Sequence, residues 1–230
     1  MIYAISDLHI SLKGDKPMNI FGSSWDNYLQ EIKADWLSKV SFDDIVLLCG
    51  DLSWAKDLDD AIFDMSFFTS LPGRKIIIKG NHEYWWTSYS KVKLALPENV
   101  FAIQNNALSM ENYVFCGTRG WDIPIEETTD DNKKIYNREL LRLEMSLKEA
   151  TQIKKENQEI ILMTHYPPYS EGYKPSAFTD IIEKYGVKKV VYGHIHSKKS
   201  PHKKYFILNG VEYFLTSCDI VDNQLIKISD

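Results

Sequence analysis

Cysteine is scarce in this chain. Cys49, Cys116 and Cys218 are widely spaced, each beside an apolar run, with no pair at metal-ligand spacing. An odd number of isolated thiols argues against a disulfide framework and a thiolate metal site, and predicts reduced core cysteines of a cytoplasmic protein. Arginine is also scarce, with only Arg74, Arg119, Arg138 and Arg142. No apolar run approaches membrane-span length, so no membrane partner is expected. No basic leader precedes the apolar start, which Asp7 cuts short, so no signal peptide is expected. Excess positive charge is missing too. A net charge of −5 argues against a generic polyanion binder.

What is present fits a folded α/β protein. Hydrophobic content of 44% and charged content of 26% argue against disorder. A length of 230 residues suffices for one domain with a sizeable core. No repeat, low-complexity segment or internal boundary is visible, so residues 1–230 read as a single domain.

Apolar runs at 2–6, 45–49, 75–79, 159–163 and 188–192 predict short strands, several of them buried on both faces. Helical spacing predicts helices near 25–40, 57–70, 84–96, 134–156 and 178–185. Residues 100–117 read as short strands separated by turns. Residues 118–133 read as an irregular polar stretch with Asp130-Asp131 at its tip. The prolines and glycine of 166–177 exclude helix and central strand there. Asn209-Gly210 between apolar runs predicts a hairpin over 205–215, and a last strand covers about 224–228.

Five polar blocks begin where predicted strands stop. They are Asp7-Leu8-His9, Gly50-Asp51, Gly80-Asn81-His82-Glu83, Thr164-His165 and Gly193-His194-Ile195-His196. Alone, each has a bland reading. Asp7 and Gly50-Asp51 suit turns, Asn81 suits a helix cap, and His165 suits a buried packing position. Together they hold five of the six histidines, leaving only His202 outside. Strands alternating with helices suggest a layered α/β fold, and the carboxyl ends of strands in such sheets are where ligands bind. Imidazole, carboxylate and amide oxygen donors suit Mn, Fe or Zn better than Ca.

In content and order these blocks resemble the calcineurin-like metallophosphoesterases, and the resemblance runs from residue 5 to 196. It implies a four-layer α/β/β/α sandwich, with two mixed sheets between outer helices. It implies that Asp7, His9 and His196 hold one divalent ion, that Asn81, His165 and His194 hold a second, and that Asp51 bridges them. Mn is the favoured metal, ahead of Fe, Zn or Mg. A hydroxide bridging the ions would attack phosphorus, and His82 would protonate the leaving group. Glu83 is the neighbouring carboxylate, expected to orient His82 or face the substrate.

The Ser/Thr protein phosphatase branch carries Gly before the first Asp and Arg-Gly after the second. Here Ser6 precedes Asp7, and Leu52-Ser53-Trp54 follows Asp51, so a protein phosphatase is not expected. The pattern fits a small bacterial-type phosphohydrolase acting on a small phosphodiester or nucleotide. A nuclease and a non-catalytic metal-binding scaffold are the alternatives. Arg119, in a glycine-flanked loop, is a candidate phosphate contact. Trp54 is the best candidate for a pocket aromatic, while Trp85, Trp86 and Trp121 read as core. Tyr166, Tyr169 and Tyr173 suggest that loop 166–177 walls or covers the site. Lys184, Lys188, Lys189, Lys198, Lys199, Lys203 and Lys204 bracket His194 and His196. They are read first as solvated edges and only second as a nucleic-acid patch. No feature signals an oligomer interface.

Overall fold

The apolar runs become the strands of two mixed sheets. The structure is a computed structural model that describes residues 1–14, 16–196 and 202–230. The first sheet has the order β11-β1-β2-β3-β4, formed by Ile226–Ser229, Ile2–Ile5, Ile45–Leu48, Arg74–Ile78 and Val100–Ile103. β1 to β4 run parallel and β11 antiparallel. The second sheet has the order β5-β6-β7-β8-β10-β9, formed by Ala107–Met110, Tyr113–Thr118, Glu159–Thr164, Lys189–Tyr192, Val211–Leu215 and Tyr205–Leu208. Its middle strands are parallel, with antiparallel strands at both edges.

Alternation along the strands makes the layers. Ile2, Ala4, Leu47 and Ile76 point into the interface between the sheets, where they meet Phe115, Ile161 and Val191. Tyr3, Ile5 and Leu48 point the other way. They meet Ile32 and Trp36 of α1 (Tyr28–Lys39) and Met65 and Phe68 of α2 (Leu58–Thr69). On the far side, Val114, Leu162 and Val190 meet Leu143 and Leu147 of α4 (Asp130–Ile153) and Ile182 of α5 (Ala177–Lys184). Helix, sheet, sheet, helix is therefore the observed order, as the resemblance implied. Strands buried on both faces need continuous apolar runs, because each inward side chain contributes roughly 1.5–3 kcal/mol on either face. No helix among the described residues is long and apolar enough to cross a membrane.

Two helix boundaries differ from the sequence expectation. The helix expected from residue 84 starts only at Tyr89 in α3 (Tyr89–Ala95), where Ser88 caps Lys91 N. Residues 84–88 instead form tight turns, with Tyr84 N donating to the His82 carbonyl and Trp86 N to the Glu83 backbone carbonyl, and Trp85 and Trp86 buried. Asn81 is therefore not a helix cap. The long helix begins earlier than expected. Thr129 caps it by accepting from Asn132 N, and Asp130 and Asp131 form its first turn rather than a loop tip. Carboxylates at that end complement the exposed amide groups of the helix start. The hairpin forms as expected, with φ of 51° at Asn209 and 78° at Gly210 between paired Leu208 and Val211.

All five polar blocks follow the carboxyl ends of β1, β2, β3, β7 and β8. The two sheets are joined at this edge. His165 Nδ1 lies 2.9 Å from the Cys49 carbonyl oxygen, and Ser6 bridges to Ser217.

Candidate metal centre

Tight backbone turns aim the donors at one another. Asp7, His9, Asp51 and His194 all have positive φ, at 59°, 45°, 54° and 72°. Such backbone costs roughly 1–3 kcal/mol per non-glycine residue and persists where the surroundings enforce it. Close approach also fixes two glycines. A Cβ on Gly80 would overlap the Asp51 carboxylate, and one on Gly193 would overlap that of Asp7.

The donors fall into two groups. In the first, His9 Nε2 lies 3.2 Å from His196 Nε2, and His196 Nε2 lies 3.3 Å from Asp7 Oδ1. His9 Nε2 is 3.7 Å from Asp51 Oδ2. Donor atoms of Asp7, His9, Asp51 and His196 all lie within 4.8 Å of one another, a grouping able to hold a cation. In the second, Asn81 Oδ1 is 2.6 Å from His165 Nε2 and 3.0 Å from His194 Nδ1. His165 Nε2 is 3.2 Å from His194 Nδ1 and 3.6 Å from Asp51 Oδ2. The same oxygen, Asp51 Oδ2, therefore adjoins both groups.

This spacing fits cations. Ligand bonds of about 2.1 Å place neighbouring donors roughly 3–3.5 Å apart. His165 Nδ1 donates to the Cys49 carbonyl, which turns the Nε2 lone pair toward Asn81 Oδ1. His196 Nδ1 donates to Asp219 Oδ1 at 2.9 Å, which turns its Nε2 lone pair toward His9. Lone pairs facing lone pairs repel unless positive charge lies between them. Fixing an imidazole by its far nitrogen is the usual support of a ligating histidine.

The electrostatics agree. Burial, then the charge of Asp7, pushes the Asp51 carboxyl up to about 7. Burial would also raise Asp7, but the charge and hydrogen bond of His196 hold it well below the usual carboxylate range. Burial lowers His9 to about 3 and His194 to about 4. Burial would lower His196 as well, yet the Asp7 and Asp219 carboxylates lift it to about 10. A cation relieves these opposed pressures by favouring the unprotonated form of every donor. Ser217 Oγ supports the Asp7 carboxylate at 2.9 Å, and His194 N donates to it at 3.0 Å.

His82 lies at the open side. Its side chain is 32% exposed, and Nε2 is 4.0 Å from Asp51 Oδ2. Nδ1 is 3.3 Å from the Tyr84 hydroxyl. Trp54 packs against His82 and stacks on His9 at 4.7 Å. With Met18, Phe21 and Trp25 it lines a cavity of about 350 Å³ that reaches His9, His82 and His196.

Two residues expected to contact substrate lie away from His82. Glu83 is buried, and its carboxylate accepts backbone N–H groups from Gly80, Asp51 (3.0 Å) and Leu52. It ties the β2 and β3 loops together beneath the site and turns away from His82. Arg119 lines a neighbouring cavity rather than the one at His82. Its guanidinium stacks on Trp121 at 4.6 Å, and its carbonyl receives the N–H groups of His165 and Tyr166.

Loop 166–177 divides in two. Tyr166 stacks on His194 at 4.1 Å and so walls the second group. Tyr169 and Tyr173 stack on each other and meet Phe206 edge-on, so they anchor the loop to β9 instead of covering the site. Lys184, Lys189 and Lys204 pair with Glu144, Glu159 and Asp222. Lys198 and Lys199 lie outside the described residues. All three cysteines are buried and unpaired.

Sequence reading missed Asp219, Ser217 and Trp25. The first two follow β10 and so obey the same strand-end rule as the five blocks, without a histidine to mark them. Trp25 belongs to a short 3₁₀ turn whose pattern carries no site signal.

Comparison with known proteins agrees with this architecture. The family model for calcineurin-like phosphoesterases matches residues 1–198, and the chain belongs to that family. Its members are phosphoester hydrolases that bind divalent metals. A search of curated proteins finds no match. Among solved structures, the phosphopantetheinyl hydrolase PptH from Mycobacterium tuberculosis is 18% identical with a TM-score of 0.56, covering 94% of this chain and 88% of that one. TT1561 of Thermus thermophilus is 13% identical with a TM-score of 0.56, covering 98% and 96%. AQ665 from Aquifex aeolicus, a protein of unknown function, is 15% identical with a TM-score of 0.51, covering 98% and 94%. At these identities the likeness is one of fold.

Proposed function

We propose that this chain is a metal-dependent phosphoesterase that cleaves a small phosphodiester or nucleotide with two divalent ions, Mn favoured. The observation that carries the reading is the sharing of Asp51 Oδ2 between two complete donor groups. Asp7, His9 and His196 would hold one ion, Asn81, His165 and His194 the other, with Asp51 common to both. When bound, such ions supply a water of pKa about 7 and neutralise charge on the phosphoryl oxygens.

The remaining roles belong to the chain. Asp219 and the Cys49 carbonyl hold His196 and His165 with their lone pairs forward. As the general acid His82 is the imidazolium, whose Nδ1–H donates to the Tyr84 hydroxyl and so aims Nε2–H outward, where a leaving oxygen can take the proton. Burial lowers the His82 pKa while Asp51 opposes that, so the ring gives up its proton readily. Trp54 and Trp25 exclude water from the leaving-group side and offer flat apolar surface to it. The name of the Mycobacterium tuberculosis relative, a phosphopantetheinyl hydrolase, is compatible with a small phosphodiester substrate. A nuclease finds less support, since three of the five described lysines that bracket the site, Lys184, Lys189 and Lys204, are already paired with carboxylates. A scaffold finds less support because all seven candidate ligands and His82 are retained.

The test is hydrolysis of bis-p-nitrophenyl phosphate and p-nitrophenyl phosphate by metal-stripped protein, with Mn, Zn or Mg returned. Metal-restored cleavage favouring the diester supports the reading. A preference for the monoester would replace diesterase with phosphatase. Absence of cleavage while two ions bind would favour the scaffold.

A further inference from the structure

Three of the four arginines in the chain converge on one cavity that none of the candidate metal donors lines. The cavity has a volume of about 290 Å³. Lys79 from the end of β3, Arg119 from the end of β6, and Arg138 and Arg142 from α4 all contribute to it. Arg138 and Arg142 stand four apart and therefore share a helix face. Glu139 is the one carboxylate in the lining, and it is fully buried. It accepts from Arg142 at 2.6 Å and from Thr118 Oγ1 at 2.7 Å, while Arg119 stands 4.0 Å away. One carboxylate against four cations leaves the basin strongly positive on a chain of net charge −5. Arg138 has no hydrogen-bond or ion-pair partner among the described residues.

The basin sits on the same sheet edge as the candidate metal centre. Lys79 directly precedes Gly80-Asn81, and the Arg119 carbonyl holds the backbone of His165 at 3.0 Å. Guanidinium groups presented as forks match the oxygens of a phosphate, and a cavity concentrates their field. We propose that this basin is a second anion site, which holds a further phosphate group of the substrate while another phosphoester lies at the metal centre. The substrate class is then a small molecule with two separate phosphate groups, such as a nucleoside bisphosphate derivative. This rests on the phosphoesterase reading for the second half of the claim only.

Phenylglyoxal labelling of the metal-loaded full chain, read residue by residue by mass spectrometry, tests it. Inorganic phosphate should slow labelling of Arg119 and Arg138 about fivefold or more by engaging their guanidinium groups. Arg74 serves as the internal control. It starts β3 at the opposite edge and is held by Asp43 O and Glu111, so its rate should not change. Arg138→Glu, at an exposed position, should abolish the protection of Arg119. Adenosine 3′,5′-bisphosphate should protect at about tenfold lower concentration than inorganic phosphate, because two linked groups bind together.

Unchanged labelling of Arg119 and Arg138 would overturn the site. Protection of Arg119 that survives in Arg138→Glu would also overturn it, by assigning the shielding to the metal centre. Equal protection by phosphate and bisphosphate would overturn the substrate assignment in favour of a free anion. Labelling needs no turnover, so a chain that hydrolyses nothing still answers the question. Failed protection, in turn, leaves the hydrolysis reading standing.

Discussion

His82 differs from the other clustered imidazoles because its ring reaches the donor set only at 4.0 Å, from Nε2 to Asp51 Oδ2. A proton donor outside the ligand set can be removed without dismantling the centre. His82→Ala should retain the metal content of the wild type, read by elemental analysis. Turnover should fall by roughly 10²–10⁴-fold, the usual contribution of a general acid. Turnover that survives would remove His82 from the chemistry. Asp219 has the converse character, since it touches no leaving group and acts through His196. Asp219→Ala should weaken metal affinity by roughly 10–100-fold, as loss of a partner behind a ligating histidine does. With metal saturating, activity should return, which separates a positioning role from a chemical one. Asp219 was invisible in the sequence because a lone Asp between Cys218 and Ile220 carries no pattern, whereas a Gly-His-x-His block does. Glu83 was misread for the related reason that adjacency in sequence says nothing about direction. Its backbone partners face inward, so its side chain does too.

Strands were the most legible elements. Ile45–Leu48 is apolar on both faces because a parallel strand between helices and a second sheet must be. Helix starts were less legible. Residues 84–88 have helical composition, yet the turn around Glu83 overrides propensity until Ser88 supplies a cap. Lys75 is the element-scale anomaly, a fully buried cation in β3 whose ammonium donates to the Leu71 carbonyl. Burial lowers its pKa from 10.5 to about 8. Between those values the unfolded chain binds more protons than the folded one, so stability rises with pH. The full penalty, present below about 8, is about 3 kcal/mol. Urea unfolding at pH 8 and pH 10 should show the wild type gaining about 2 kcal/mol relative to Lys75→Met, which lacks the titrating group. Parallel curves for the two proteins would contradict the assignment.

At the scale of the molecule, the order of five strand-end blocks foretold the sandwich better than any single element did. Two sheets meeting at one edge are what bring His196 Nε2 to 3.3 Å from Asp7 Oδ1. The arginine basin stayed hidden because its members come from β3, β6 and α4, and only packing assembles them. The same geometry couples metal to stability, since unfolding separates every donor. Metal at about a thousand times its dissociation constant should stabilise the fold by about 4 kcal/mol per ion. Removing both ions with chelator should then lower the Tm by roughly 20 °C. The most direct measurement is bis-p-nitrophenyl phosphate hydrolysis by metal-stripped protein, titrated with Mn while bound metal is counted. Activity that is absent without metal and returns as stoichiometry approaches two per chain is the predicted result. Activity that is complete at one ion, or unaffected by stripping, would contradict the shared role given to Asp51.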